Sequence, residues 1–203
     1  MKVKVIFGVL FICFCIPLFA QQTTQRISLS QEDVEAAAHI AEDLVKKFHE
    51  DCRDVVVPQM DELRLKEILL NATSKFDNPD DRIIHITSKW KSNPTKRFIY
   101  DYLNRLYRLS HGKDRIYEEV KFTHWNTHMV GDIYQDPNNA DRYVGTVVSS
   151  QKFEGTFRSE KRHFYRDVVQ RTFYFNIYFY KSAITDTNVL VVKLGDVYAQ
   201  QIQ

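Results

Sequence analysis

Phe173-Tyr174-Phe175-Asn176-Ile177-Tyr178-Phe179-Tyr180 alternates strictly between apolar and amphipathic side chains. A strand turns successive side chains to opposite faces, so Phe173, Phe175, Ile177 and Phe179 share one face and Tyr174, Asn176, Tyr178 and Tyr180 the other. The first set reads as core. The second combines apolar area with hydrogen-bonding groups. All eleven tyrosines lie between Tyr100 and Tyr198, and tyrosine favours pleated, half-buried surfaces, so the second half of the chain reads as sheet.

Working outward, long strands are expected over 115–125, 127–135, 142–157, 167–181 and 188–200. The links Asp136-Pro137-Asn138-Asn139 and Asp186-Thr187-Asn188 are short enough for hairpins, which makes neighbouring strands antiparallel. Gly131, Gly145, Gly155 and Gly195 interrupt the strand patterns and point to bulges or bends, hence to strong curvature.

The first half reads as helix. Ser30 with Asp33 three residues later forms an N-cap, and Val34, Ala37, Ala38, Ala41, Leu44, Val45, Phe48 and Cys52 recur at three- and four-residue steps. A second helix is expected from Pro58 to Asn71, carrying Met60, Leu63, Ile68 and Leu69. Asn78 to Asp81 reads as a turn and Ile83 to Ile86 as a short strand. A third helix is expected to begin at Asn93-Pro94-Thr95, to carry Phe98, Ile99, Tyr102, Leu103, Leu106 and Leu109 on one stripe, and to close at His111-Gly112.

At the other end, Lys2 and Lys4 precede an almost wholly apolar run from Val5 to Ile16, and Pro17-Leu18-Phe19-Ala20 leads into Gln21-Gln22. This is the layout of a cleavable secretion signal cut after Ala20, and the run is shorter than a membrane span requires. Residues 1–20 are therefore expected to be a signal peptide, 21–29 a flexible polar tail and 30–203 a single α+β domain, exported to a periplasmic or extracellular compartment. The Phe19-Ala20-Gln21-Gln22 ending resembles cleavage sites common in Bacteroidetes-type bacteria, which implies a bacterial host.

The signal holds two of the 28 basic residues and none of the 26 acidic ones, so the remaining 183 residues carry a formal charge of 26 − 26 = 0. That balance argues against a nucleic-acid partner. Cys52 is the one cysteine past residue 20, so no intramolecular disulfide braces the domain. No glycine-rich phosphate loop, nucleophile elbow, CxxC pair or HExxH helix is present, and the reading includes no cofactor and no second apolar segment long enough to span a membrane.

Helix, helix, short strand, helix and then long antiparallel hairpins with glycine-marked bends resembles the cone-shaped fold of the nuclear transport factor 2-like superfamily, which is related in shape to cystatins. The resemblance runs from Ser30 to Ile202. It is carried by element order and by Tyr102, Leu103, Leu106 and Leu109, by Tyr117 to Phe122, and by the closing Val192-Lys193-Leu194-Gly195-Asp196-Val197. It implies three helices packed on a strongly curved antiparallel sheet, with a pocket at the wide end. Members include acid–base enzymes and non-catalytic binding domains, and many dimerise through the sheet, so fold alone chooses no function.

Several residue groups stand out. Tyr174, Tyr178 and Tyr180 offer a platform for a sugar ring or a partner protein, or a sheet face that is solvated or packed against a second copy. His124, His128 and Asp132 share one parity if a single regular strand runs through them, which would let them line a pocket as acid–base groups. Metal would need ligands that have no recognisable spacing here. His49 three residues before Cys52 suggests a nucleophile pair, but Cys52 sits on the apolar stripe, where thiols are usually buried and inert. Arg158, Ser159, Glu160, Lys161, Arg162, His163 and Arg166, diluted by Asp167, form a charged hairpin. Asn71-Ala72-Thr73 is an N-glycosylation acceptor in hosts with that pathway. The function these features favour is an exported non-catalytic domain binding an unknown protein or small-molecule ligand. An acid–base enzyme and a structural subunit of an envelope assembly are the alternatives.

Overall fold

Local signals at the start of the first helix are fully realised in the computed structural model, which describes residues 29–58, 60–88, 91–113, 115–159, 164–181 and 188–202. The segment expected to be a signal, the expected tail up to residue 28, the 160–163 part of the charged hairpin and the Asp186-Thr187 part of the last expected hairpin link lie outside the described residues. Helix α1 spans Gln31–Val55; Ser30 accepts from the Asp33 backbone while Asp33 reaches back to the Ser30 amide, closing a capping box. Its stripe of Ala37, Ala41, Val45, Phe48 and Cys52 is buried. Helix α2 spans Glu62–Ser74, later than expected, because the Asp61 carboxylate takes the Arg64 amide at 2.7 Å and sets the N-cap there rather than at Pro58. Asp51 of α1, Asn71 of α2 and Lys75 just beyond it tie the two helices together. The Lys75 ammonium donates to Asp51 at 2.6 Å and the Asn71 amide donates to Asp51 at 3.0 Å.

After α2 come strands β1 (Ile83–Ser88) and β2 (Lys91–Phe98), then helix α3 (Ile99–Ser110), then β3 (Tyr117–Asp136), β4 (Asn139–Phe157), β5 (Phe164–Lys181) and β6 (Asn188–Gln201). The start of the third helix is corrected: residues 93–98 pair with β1 in a hairpin, and α3 begins at Ile99. β2 is the edge of the sheet, a place where Pro94 removes a donor that no neighbour needs. The two strands expected over 115–135 are likewise one, β3, kinked by bulges at Trp125/His128 and Val130/Tyr134. Asn126 at φ 53° and Gly131 at φ 69° supply the left-handed backbone that these kinks require.

Among the described residues six strands run in the order β2-β1-β6-β5-β4-β3, antiparallel except where β1 meets β6. The architecture of the described residues is α+β, three helices against one curved sheet, as the resemblance to the nuclear transport factor 2-like superfamily implies. Gly131 and Gly195 lie at bulges. The other two glycines serve neighbouring rings, since a Cβ on Gly145 would stand 2.2 Å from the Phe175 ring and one on Gly155 2.6 Å from that of Tyr117.

The core lies where α1 crosses the sheet. Phe48 meets Phe76 and Phe173 edge-on at 5.0 and 6.0 Å, and Phe173, Phe175 and Ile177 are fully buried beside Leu194 and Val197. Each such side chain contributes about 1.5–3 kcal/mol. Among the described residues no helix is long and apolar enough to cross a membrane.

Candidate functional site

The inner face of β5 changes character along its length. Toward its C-terminal end it presents Phe173, Phe175 and Ile177 to the core, while the same parity carried the other way gives Arg171, Val169, Asp167 and Tyr165. Those four line a pocket of about 450 Å³, within the range of small-molecule sites. Helix α3 forms one wall with Tyr102, Leu106 and Leu109, and the β1–β2 hairpin adds Thr87, Thr95 and Arg97. Opposite lie the rings of Tyr117, Phe122, Phe153 and Phe157. Phe153 meets Tyr117, Phe122 and Tyr165 at 5.5, 5.2 and 5.8 Å, all edge to face, which fixes that wall as one aromatic surface.

Two charged groups are buried in this apolar surround. Arg171, 5% exposed, donates from Nε to Gln151 Oε1 at 2.6 Å, from Nη1 to the His85 carbonyl at 3.2 Å and from Nη2 to the Tyr102 hydroxyl at 3.2 Å. All three acceptors are neutral, and among the described residues no carboxylate forms a salt bridge with it. Asp167, also 5% exposed, accepts from the Tyr165 hydroxyl through Oδ2 at 2.7 Å, while its Oδ1 has no hydrogen-bond partner. The Thr87 hydroxyl and Arg97 Nε are buried and unpartnered as well. Such atoms are rare in a settled interior, and each calls for a cause such as strain, a bound water or ion, or a functional role. The lining side chains include Arg97, Arg105 and Arg171 against Asp167, so the pocket is net positive. Burial raises the Tyr102 phenol far above its ordinary range, with the hydroxyl staying neutral.

Behind Arg171 a polar layer runs under α1. The His49 ring, 1% exposed, contacts Ser149 Oγ through Nε2 at 3.1 Å and Gln151 through Nδ1 at 3.4 Å, and stacks on His124 at 5.0 Å. Burial, with Arg171 and His124 adding to it, holds the His49 imidazole well below the usual histidine range. Burial also pushes the Cys52 thiol up to about 12, so it is an inert core group rather than a nucleophile.

The sequence-derived trio His124, His128 and Asp132 is not assembled. His124 pairs with Gln151 and faces His49; the bulge after Trp125 then reverses the parity. His128 is exposed, its Nδ1 bound to the Asn126 carbonyl at 3.0 Å, and Asp132 is exposed beyond the second bulge. The bulged segment instead faces α1, where the Met129 amide donates to Glu42 at 2.9 Å. Of the tyrosine platform, Tyr174 and Tyr180 are exposed, and Tyr174 meets Tyr198 at 5.5 Å. Tyr178 is half-buried and donates its hydroxyl to Asp77 at 2.5 Å. The pocket residues themselves were missed in the sequence, although the signal was there: charged Arg171 and Asp167 continue the parity of the apolar Phe173 face.

Among the described residues no three His, Cys, Asp or Glu side chains gather where a metal ion could be held. No protein-family model matches the chain, and no curated protein sequence does. Solved structures of similar outline include a protein of Kribbella flavida (14% identity, TM-score 0.46, covering 86% of this chain and 94% of that one). The intermembrane-space region of the chloroplast protein ARC6 is similar at 11% identity and TM-score 0.45, over 81% and 97% of the two chains. A hexachlorocyclohexane dehydrochlorinase from Novosphingobium barchaimii is similar at 9% identity and TM-score 0.40, over 81% and 88%. The chemistry of the pocket rests on this chain's own side chains.

Proposed function

We propose that this chain is an exported binding domain for a small organic molecule, held in the pocket between α3, the β1–β2 hairpin and the inner face of the sheet. One observation carries the reading: a largely apolar pocket contains a buried guanidinium with only neutral partners and a buried carboxylate with one unpaired oxygen. Binding sites combine apolar walls with a few convergent polar groups in this way. Export through residues 1–20 and release after Ala20 belong to the proposal, as does use of the outer sheet face around Tyr174 and Tyr180 for contact with a second copy or another protein.

The test is to purify the protein from its native compartment, denature it and identify co-purifying small molecules by mass spectrometry. A parallel preparation of Leu106→Trp, whose larger ring occupies the pocket, serves as the comparison. A compound present with the wild type and missing from the variant supports the reading. The same small-molecule profile from both preparations contradicts it.

Acid–base catalysis is the second reading, favoured by Asp167 alone. The support for it is that Oδ1 has no hydrogen-bond partner while the Tyr165 hydroxyl holds the carboxylate through Oδ2, which leaves Oδ1 available as a proton acceptor to any molecule that reaches it. A turnover that survives Asp167→Asn would remove this reading and leave binding in place.

A further inference from the structure

The buried guanidinium also indicates what kind of molecule the pocket takes. Arginine has five N–H donors, and Arg171 gives three of them to Gln151, His85 and Tyr102. One hydrogen on each Nη remains without an acceptor among the described residues. Its stem is fixed by those contacts and by the Tyr102 ring 5.5 Å from the guanidinium carbon, so the remaining donors are held in place rather than free to swing. A buried charge with no counter-charge is unfavourable, and the lining carboxylate does not relieve it. Asp167 lies four residues back on the same strand, roughly 13 Å away at ordinary strand rise, and is engaged with Tyr165. The missing counter-charge is thus placed in the pocket itself.

The walls define the remainder of the ligand. Phe122, Phe153 and Tyr165 present aromatic surface on the sheet side, and Leu106 and Leu109 present aliphatic surface from α3. Facing walls of this kind accept a flat ring, stacked or edge-on against the aromatic side. A single guanidinium with two remaining donors matches the two oxygens of one carboxylate. A phosphate, with its higher charge, would call for further cations at the same point, and Arg97 and Arg105 belong to the β1–β2 and α3 walls rather than to Arg171's strand.

We propose that the ligand class is an aromatic carboxylic acid, its carboxylate on Arg171 and its ring between α3 and the Phe122–Phe153 wall. This rests on the binding reading above and specifies it.

The experiment uses the purified wild-type chain and a neutral fluorescent probe, N-phenyl-1-naphthylamine, competed by naphthalene-1-acetate and by its primary amide. The two competitors share a ring and differ in charge. The acid is expected to displace the probe at about 10- to 100-fold lower concentration than the amide, the ratio a charge-assisted hydrogen bond supplies. In Arg171→Gln the acid's advantage disappears while the probe still binds, and in Arg171→Lys, which keeps the charge without the fork, part of the advantage remains. Equal competition by acid and amide in the wild type overturns the proposal even if no Arg171 variant folds, and so does an acid preference undiminished in Arg171→Gln. Failure of the probe to bind, or probe binding unaffected by Leu106→Trp, instead removes the pocket reading on which the proposal rests.

Discussion

Alanine at two glycines of the same strand should have different consequences. At Gly145 a Cβ would stand 2.2 Å from Phe175 Cζ, and at Gly155 it would stand 2.6 Å from Tyr117 Cδ1. Carbon atoms settle no closer than about 3.5 Å, so the first ring must move by about 1.3 Å and the second by about 0.9 Å. Phe175 is fully buried in the packed core and has nowhere to go. Overpacking there should cost about 1–3 kcal/mol, or roughly 2–12 °C in melting temperature for a chain of this length. Tyr117, by contrast, borders the pocket, and its ring has open space on that side. Gly155→Ala should therefore cost under about 1 kcal/mol while narrowing the pocket and weakening the binding of an apolar probe. Thermal unfolding and probe titration of both variants measure the two effects independently. Gly155→Ala as destabilising as Gly145→Ala, with probe affinity unchanged, would refute the distinction between the filled and open halves of the inner face.

Three further outcomes are expected. His49 is neutral in the folded protein and its imidazole is held well below the usual range by burial, so the unfolded chain takes up the proton first. Stability should thus be full above about pH 6.5 and fall by up to about 1.4 kcal/mol per unit as pH drops below it; denaturant melts at pH 7.5 and 5.5 should show this loss, and His49→Gln should reduce it. Lys75→Met leaves the Asp51 carboxylate, already raised by burial, without its cation, and should lower unfolding free energy by about 3–5 kcal/mol in the same assay. Cys52, fully buried with its thiol pushed up to about 12, should react with a thiol-specific reagent only when the protein unfolds, and rapid stoichiometric labelling of the native protein would contradict its place in the core.

Helix α1 and the apolar face of β5 were legible because their periodicity extends over many residues and coincides with burial. Pairing was less so. Pro94 reads as a helix start in isolation, yet β1 needs a neighbour on its outer edge, and only the assembled sheet shows that residues 91–98 provide it. The trio of His124, His128 and Asp132 failed for a local reason: parity arguments hold along a regular strand, and the left-handed Asn126 reverses faces midway. The pocket was hidden by neighbourhood. Asp167 follows the basic run that begins at Arg158 and reads as part of a charged hairpin, although its two-residue register with Phe173 puts it indoors.

The change of character along β5 separates two kinds of evolutionary pressure on one strand. Phe173, Phe175 and Ile177 are packed on all sides, and substitutions there threaten the fold itself. Tyr165, Asp167, Val169 and Arg171 look into space, so a change among them alters what is held while leaving the foundation alone. Such a layout lets related chains diverge in selectivity through a handful of inward positions, which also makes that half of the strand the natural target for redesign.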